Sequence, residues 1–244
     1  MDANYSRTIM ISDIHGCIEP FERLLEKVKY VPEQDRLILL GDYVDKGPQS
    51  REAVDAVMRL VQQHGAIALR GNHDQRLVDF VRGDDPDVLR KFAEHGGPPT
   101  LHSYVGSFEV SERSRAEARR RIEAEYASHL DFLAGLPLYA EDDRHIYVHA
   151  GLRPGLFDWT LQSEHDFMYI KDEFYLHPTT VDKTVIFGHT IATKLHGHPN
   201  VWFGGDKIGI DGGCSIGLQL NALLYEDGIY DTAAVANMTQ RSET

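Results

Sequence analysis

Three times before residue 80, a short apolar run stops at a cluster of metal-ligating residue types and a helical pattern follows. Thr8 to Ser12 ends in Asp13-Ile14-His15-Gly16, and Ala66 to Leu69 ends in Arg70-Gly71-Asn72-His73-Asp74. Between them, Leu37 to Leu40 ends in Gly41-Asp42-Tyr43-Val44-Asp45-Lys46-Gly47. Unbroken apolar runs of this length read as strands buried on both faces. The segments between them have helical spacing: Phe21, Leu24, Leu25 and Val28 share one face, and Val54, Val57, Met58 and Val61 share another that Gly65 would cap. Such a strand–helix–strand series predicts parallel strands joined by right-handed crossovers. It also places each polar cluster at the carboxyl end of a strand, where open α/β sheets keep their ligands.

The pattern returns late in the chain. Arg144 to Val148 leads to His149-Ala150-Gly151, Thr184 to Phe187 leads to Gly188-His189-Thr190, and Lys207 to Ile210 leads to Asp211-Gly212-Gly213. Leu218 to Tyr225 and Ile229 to Thr232 flank Asp227-Gly228, a hairpin signal, and the last dozen residues read as a frayed tail. From about 83 to 135 the pattern is helical, broken at Gly96-Gly97-Pro98-Pro99, and it includes a charged run from Glu112 to Glu125 that reads as a solvated helix face. This stretch is expected to be a helical cap inserted into a single domain spanning 1–244.

With 38 acidic and 25 basic residues the net charge is −13, which argues against a sequence-independent nucleic-acid binder. No apolar run is long enough to span a bilayer, and Met1 to Arg7 lacks the apolar core of a signal peptide. Cys17 and Cys214 are far apart, so free thiols in a reducing cytoplasm are expected.

Five strand ends thus offer possible ligands for divalent metals: Asp13 with His15, Asp42, Asn72, His149 and His189. Two carboxylates, three imidazoles and a carboxamide make a nitrogen–oxygen donor set suited to Mn²⁺, with Fe or Zn²⁺ as alternatives. Six side chains suffice for two ions if one carboxylate bridges them, and Asp42, central in the series, is the natural bridge. Each residue also has a plainer role, as a helix cap or turn residue. All five strand ends would have to be explained that way at once.

In their order and spacing these motifs resemble the calcineurin-like metallophosphoesterases, and within them the phosphoprotein phosphatase branch. The resemblance implies a four-layer α/β/β/α sandwich with a dinuclear centre. By position, Asp13, His15 and Asp42 would hold one ion, and Asp42, Asn72, His149 and His189 the other. His73 would protonate the leaving group, oriented by Asp45; a carboxylate behind an imidazole favours the proton-donating form.

The chain departs from that branch where phosphate is held. Lysine stands at 46 where arginine is usual, and Lys171 stands where bacterial relatives often carry a second arginine. Lysine lacks the planar two-bond fork of arginine. Lys46 and Lys171 are the expected phosphate contacts, and Arg70 either joins them or makes a salt bridge under its turn. Asp211-Gly212-Gly213-Cys214 resembles a segment of bacterial phosphatases and diadenosine tetraphosphate hydrolases, although a tight turn is its simpler role. The leading expectation is a metal-dependent protein serine/threonine phosphatase, with phosphotyrosine also a substrate class. The runner-up is hydrolysis of dinucleoside polyphosphates such as diadenosine tetraphosphate. Asp45 weighs against the runner-up, because alanine is common there in the symmetrical hydrolases.

Overall fold

The apolar runs do form strands, and their partners divide them into two sheets. A computed structural model describes residues 5–106 and 111–238. In chain order the elements are β1 (Arg7–Ile11), α1 (Ile18–Lys27), β2 (Asp35–Leu39), α2 (Ser50–His64), β3 (Ile67–Ala68), α3 (Asn72–Arg82), α4 (Pro86–Glu94), α5 (Gly97–Val105) and α6 (Glu112–Gly135). There follow β4 (Tyr139–Glu141), β5 (His145–Val148), α7 (Glu164–Tyr169), α8 (Asp172–Tyr175), β6 (Thr184–Phe187), α9 (Ala192–His196), β7 (Trp202–Phe203), β8 (Lys207–Gly209), β9 (Gln219–Glu226) and β10 (Ile229–Ala236). One sheet runs β10-β9-β1-β2-β3 and the other β4-β5-β6-β8-β7. The strand–helix–strand series predicted parallel strands. Instead each sheet is mixed: β1, β2 and β3 are parallel with β9 antiparallel to β1, while β5, β6 and β8 are parallel with β4 and β7 antiparallel at the edges.

Alternation along the strands builds the four layers. Ile9, Ile11, Leu37 and Leu39 join an apolar cluster with α1, α2, α3, α5 and α6, whereas Met10, Ile38 and Leu40 face the opposite way. There they meet Tyr147, Ile186 and Ile208 of the second sheet. On the far side of that sheet, Ile146, Val148, Val185 and Phe187 pack on Phe167 and Phe174. The two-residue period of a strand thus sends alternate side chains into a helical layer and into the seam between the sheets. The α/β/β/α sandwich is the fold.

The stretch from 83 to 135 supplies α4, α5 and α6; its residues 107–110 lie outside the described residues. Phe92, Leu101, Tyr104, Ile122 and Leu130 belong to the same core as β1 and β2, so these helices are part of the outer layer. The charged face of α6 is solvated, with Arg121 paired to Glu125 at 3.3 Å. The Gly96-Gly97 break separates α4 from α5. At the carboxyl end the expected tail is instead strand through Ala236, because β10 pairs along all of β9 after the Asp227-Gly228 turn. Residues 239–244 of the tail and 1–4 of the polar start lie outside the described residues. No helix among those described is long and apolar enough to cross a membrane.

Asp142 ties the sheets together away from the strand tips. It accepts from the Tyr147 hydroxyl at 2.7 Å, from the amides of Arg144 and His145 at 2.9 and 2.8 Å, and from Arg36 of β2 at 3.2 Å. Burial acts to raise its carboxyl, but the bonds from His145 and Tyr147 win and hold it well below the usual range. A depressed folded value stabilises above the unfolded value of about 3.9 and is lost as pH falls through the folded one. Asp142→Asn is therefore expected to lower Tm by about 2–4 °C at pH 7, and to flatten the fall in Tm below about pH 4. An unchanged Tm at both pH values would remove this tie.

Candidate active site

Strand tips from both sheets converge on one seam. The backbone there is unusual: Asp13, His15, Asp42, Asp45, Lys46 and His189 all have positive φ, six of the eight such non-glycine residues among those described. Left-handed backbone at a non-glycine residue is costly and gathers at functional sites. Gly188 shows how tightly the tips interlock. A Cβ there would lie 1.9 Å from Ser12 Oγ and 2.2 Å from Asp13 Oδ2. The next amide, of His189, donates to Asp13 Oδ2 at 3.0 Å and so joins β6 of one sheet to β1 of the other.

Asp42 is the hub. Its Oδ1 accepts from the His73 amide at 2.9 Å. Its Oδ2 lies 3.5 Å from His15 Nε2, 3.4 Å from His149 Nε2 and 4.0 Å from His73 Nε2. Asn72 Oδ1 lies 3.1 Å from His149 Nε2. His149 Nδ1 is 2.8 Å from the Leu40 carbonyl and His15 Nδ1 is 2.8 Å from that of Val44. Donating there would fix the ring orientation and leave both Nε2 atoms facing inward. His189 Nε2 is buried with no hydrogen-bond partner. Asp42, His149 and His189 form one group with all donor atoms within 4.8 Å, and His15, Asp42 and His73 form another. Asp13 stands slightly back, with Oδ1 3.9 Å from His15 Nε2 and Oδ2 taken by Ser12 and the His189 amide.

The charge pattern suits cations. Burial disfavours the Asp42 carboxylate, yet His149, His73 and His15 hold it well below the usual range. Burial likewise disfavours a charged His149, and Asp42 overrides it and lifts the imidazole to about 9. Lys46 Nζ lies 2.8 Å from His15 Nε2, so this nitrogen already presents its lone pair to a positive group. Inward lone pairs, an orphaned imidazole nitrogen and a buried carboxylate facing three rings fit divalent metal ions.

His73 is set apart by its partner. Its Nδ1 is 2.8 Å from Asp45 Oδ2. Burial pulls His73 down to about 3 and pushes Asp45 up to about 7, so in the absence of ions and substrate burial outweighs the lift that the carboxylate was expected to give the imidazole. Asp45 is in turn held by Thr100, which donates to Oδ1 at 2.8 Å and accepts from the Asp45 amide at 2.9 Å. The helices after residue 83 thus reach the site directly. Gly96, at φ 96°, accepts from the Lys46 amide at 2.7 Å, and a Cβ on it would meet that amide nitrogen at 2.9 Å.

A cavity of about 750 Å³ opens over the centre. Lys46 and Lys171 line it, as do Arg76, Lys91 and Lys194, which sequence reading did not single out. Arg70 is elsewhere: its guanidinium meets Gln75 at 2.7 Å, the Ala134 carbonyl at 3.2 Å and Glu164 at 3.7 Å, outside the cavity lining. Of the two roles read for Arg70, the structure shows the salt bridge and not the phosphate contact. Asp74 also had no assigned role. It accepts from the amides of Asp42, Tyr43 and Gly71 at 2.8–2.9 Å, pinning the β2 loop to the start of α3. Asp211 lines the cavity and accepts from the Gly213 amide at 2.8 Å within its turn.

The family model described as calcineurin-like phosphoesterase matches residues 6–215. The chain belongs to this family. Calcineurin-like phosphoesterases use divalent metal ions, in keeping with the donor set at the seam. Among curated relatives of this phosphoesterase, the asymmetrical bis(5'-nucleosyl)-tetraphosphatase PrpE of Anoxybacillus flavithermus is 30% identical over 241 residues, covering 89% of this chain and 90% of that one. A symmetrical bis(5'-nucleosyl)-tetraphosphatase of Dechloromonas aromatica is 33% identical over 155 residues, covering 63% of this chain and 45% of its own length. A crystal structure described as that of a candidate diadenosine tetraphosphatase superposes with a TM-score of 0.64 at 24% identity, covering 94% and 93% of the two chains. The cold-active protein-tyrosine phosphatase of a Shewanella species gives 0.57 at 15%, covering 97% of this chain and 82% of that one. At these identities the two structures attest the fold alone.

These relatives overturn the leading expectation of a protein serine/threonine phosphatase. The chemistry expected of the strand-tip motifs would serve any phosphoester, so they hold no information on what lies beyond the phosphate. The full-length likeness favours the runner-up.

Proposed function

We propose that this phosphoesterase hydrolyses dinucleoside polyphosphates, with diadenosine tetraphosphate as the model substrate, and cuts asymmetrically to ATP and AMP. The observation that carries this is the likeness to the asymmetrical tetraphosphatase over about nine-tenths of both chains. The cavity supports it: five cationic side chains line the approach to the centre in a chain of net charge −13, which suits a linear polyanion.

In this reading Asp13, His15 and Asp42 hold one divalent ion, and Asp42, Asn72, His149 and His189 the other, with Mn²⁺ the first choice for such donors. Bound there, the two ions supply charge that polarises the phosphoryl group and eases deprotonation of the attacking water. The residues do the rest. Lys46 and Lys171 draw the phosphate into the cavity, and Asp45 holds His73 with Nε2 available to the leaving oxygen. As the water–phosphorus bond forms and the bridging P–O bond breaks, His73 hands its proton to the departing phosphate. Thr100 and Asp74 keep the acid and the bridging carboxylate in register. Cys17 and Cys214 are free thiols, and the reading keeps the cytoplasmic setting expected for them.

A substrate panel with Mn²⁺ supplied tests the proposal. Diadenosine tetraphosphate is expected to exceed phosphoserine and phosphothreonine peptides in kcat/KM by about tenfold or more, a margin of about 1.4 kcal/mol in transition-state binding. Chromatography of the products should give ATP and AMP in equal amounts. A preference for phosphopeptide would overturn the substrate, and ADP as sole product would overturn the cleavage site.

A further inference from the structure

We propose that Arg76 supplies the two-pronged phosphate contact of this site, from α3, one helical turn after His73. The inference rests on the phosphoesterase reading and deepens it.

Arg76 is buried, with 8% of its surface exposed, and it lines the cavity over the centre. Other arginines that reach inward end on carboxylates: Arg7 on Asp35 at 2.7 Å, and Arg36 on Asp142 at 3.2 Å. Arg76 forms no ion pair among the described residues. Its Nη1 stops 3.2 Å from His73 Nδ1, and the Tyr169 hydroxyl lies within reach of its charge. Neither neighbour is an anion; the carboxyl that feels its charge is Asp45, whose two oxygens are engaged by His73 Nδ1 at 2.8 Å and Thr100 at 2.8 Å. A buried guanidinium whose donors meet only neutral or occupied groups is under-compensated, and an anionic ligand in the cavity would complete it.

The position suits a phosphate. His15 and His73 stack edge to face with ring centroids 4.8 Å apart, and Lys46 sits against the first ring while Arg76 sits against the second. The two cations therefore flank the pair of rings that line the floor of the cavity. Lys46 gives a point charge; only Arg76 offers the planar fork that matches two phosphate oxygens. The chain has lysine at both positions where arginine was expected, and α3 makes good the loss. Its spacing carried the signal: His73 and Arg76 are three residues apart on one helix and so share a face.

Steady-state kinetics of the metal-loaded Arg76→Ala and Arg76→Lys variants test this, with the inhibition constant for inorganic phosphate as a readout that does not depend on the value of kcat. KM for both diadenosine tetraphosphate and p-nitrophenyl phosphate, and the phosphate inhibition constant, should rise about 10–100-fold in the alanine variant and about tenfold in the lysine variant. Metal content should stay at the wild-type level. If alanine prevents folding, the lysine variant decides. A folded variant with an unchanged phosphate inhibition constant overturns the proposal, even if kcat has dropped through His73. The substrate reading fails separately: a wild-type enzyme that prefers phosphopeptides would refute it, while the phosphate constant would still decide Arg76.

Discussion

Replacing His73 with asparagine is expected to lower kcat by about 10²–10⁴-fold while both metal ions stay bound. The amide of residue 73, which donates to Asp42 at 2.9 Å, survives the change, so the hub keeps its support. What is lost is the imidazole that Asp45 holds at 2.8 Å and whose other nitrogen faces the cavity. The loss should depend on the leaving group. Phenyl phosphate releases a more basic oxygen than p-nitrophenyl phosphate and needs the proton more, so its rate should fall further. Equal losses on the two esters would show that His73 is not the proton donor, and metal content by atomic emission separates that outcome from a damaged centre.

Asp42→Asn is expected to act one level earlier, on the ions themselves. A single oxygen of Asp42 lies 3.5 Å from His15 Nε2 and 3.4 Å from His149 Nε2, so removing its charge weakens both halves of the centre at once. In the wild type, free Mn²⁺ at a hundred times its Kd contributes about 2.7 kcal/mol per site, which at about 2–4 °C per kcal/mol is a rise in Tm of roughly 5–11 °C for each ion. The variant should bind fewer than two ions, show little of that rise and turn over no substrate. Two bound ions with the full rise in Tm would show that Asp42 is not the bridge.

The strands at 37–40 and 184–187 were legible because unbroken apolar runs have few other uses, and the Asp227-Gly228 turn because its backbone suits few other residues. How the strands divide into sheets was not. A strand buried on both faces shows no alternation, so nothing in Ile9-Met10-Ile11 marks Met10 as the side chain facing the other sheet. The six candidate ligand positions stood out as residue types at strand ends. The groups that hold them did not: Thr100 reaches Asp45 across 55 residues, and Asp74 works through backbone amides, which leave no trace in side-chain patterns. Arg70 had to be left with two roles, since closeness in sequence says nothing of the direction in which a side chain leaves its strand. Substrate class lay beyond the motifs for a chemical reason. They describe how a P–O bond is cut, and the choice of what hangs from it belongs to the cavity wall.

The bond from the His189 amide to Asp13 joins the two slabs of the sandwich at the spot where the ions would sit. A small parting of the slabs would scatter the ligand atoms while each slab kept its own strands paired. Heat should therefore silence such an enzyme well before it melts, and whatever grips both slabs, ion or substrate, acts as a rivet through the molecule.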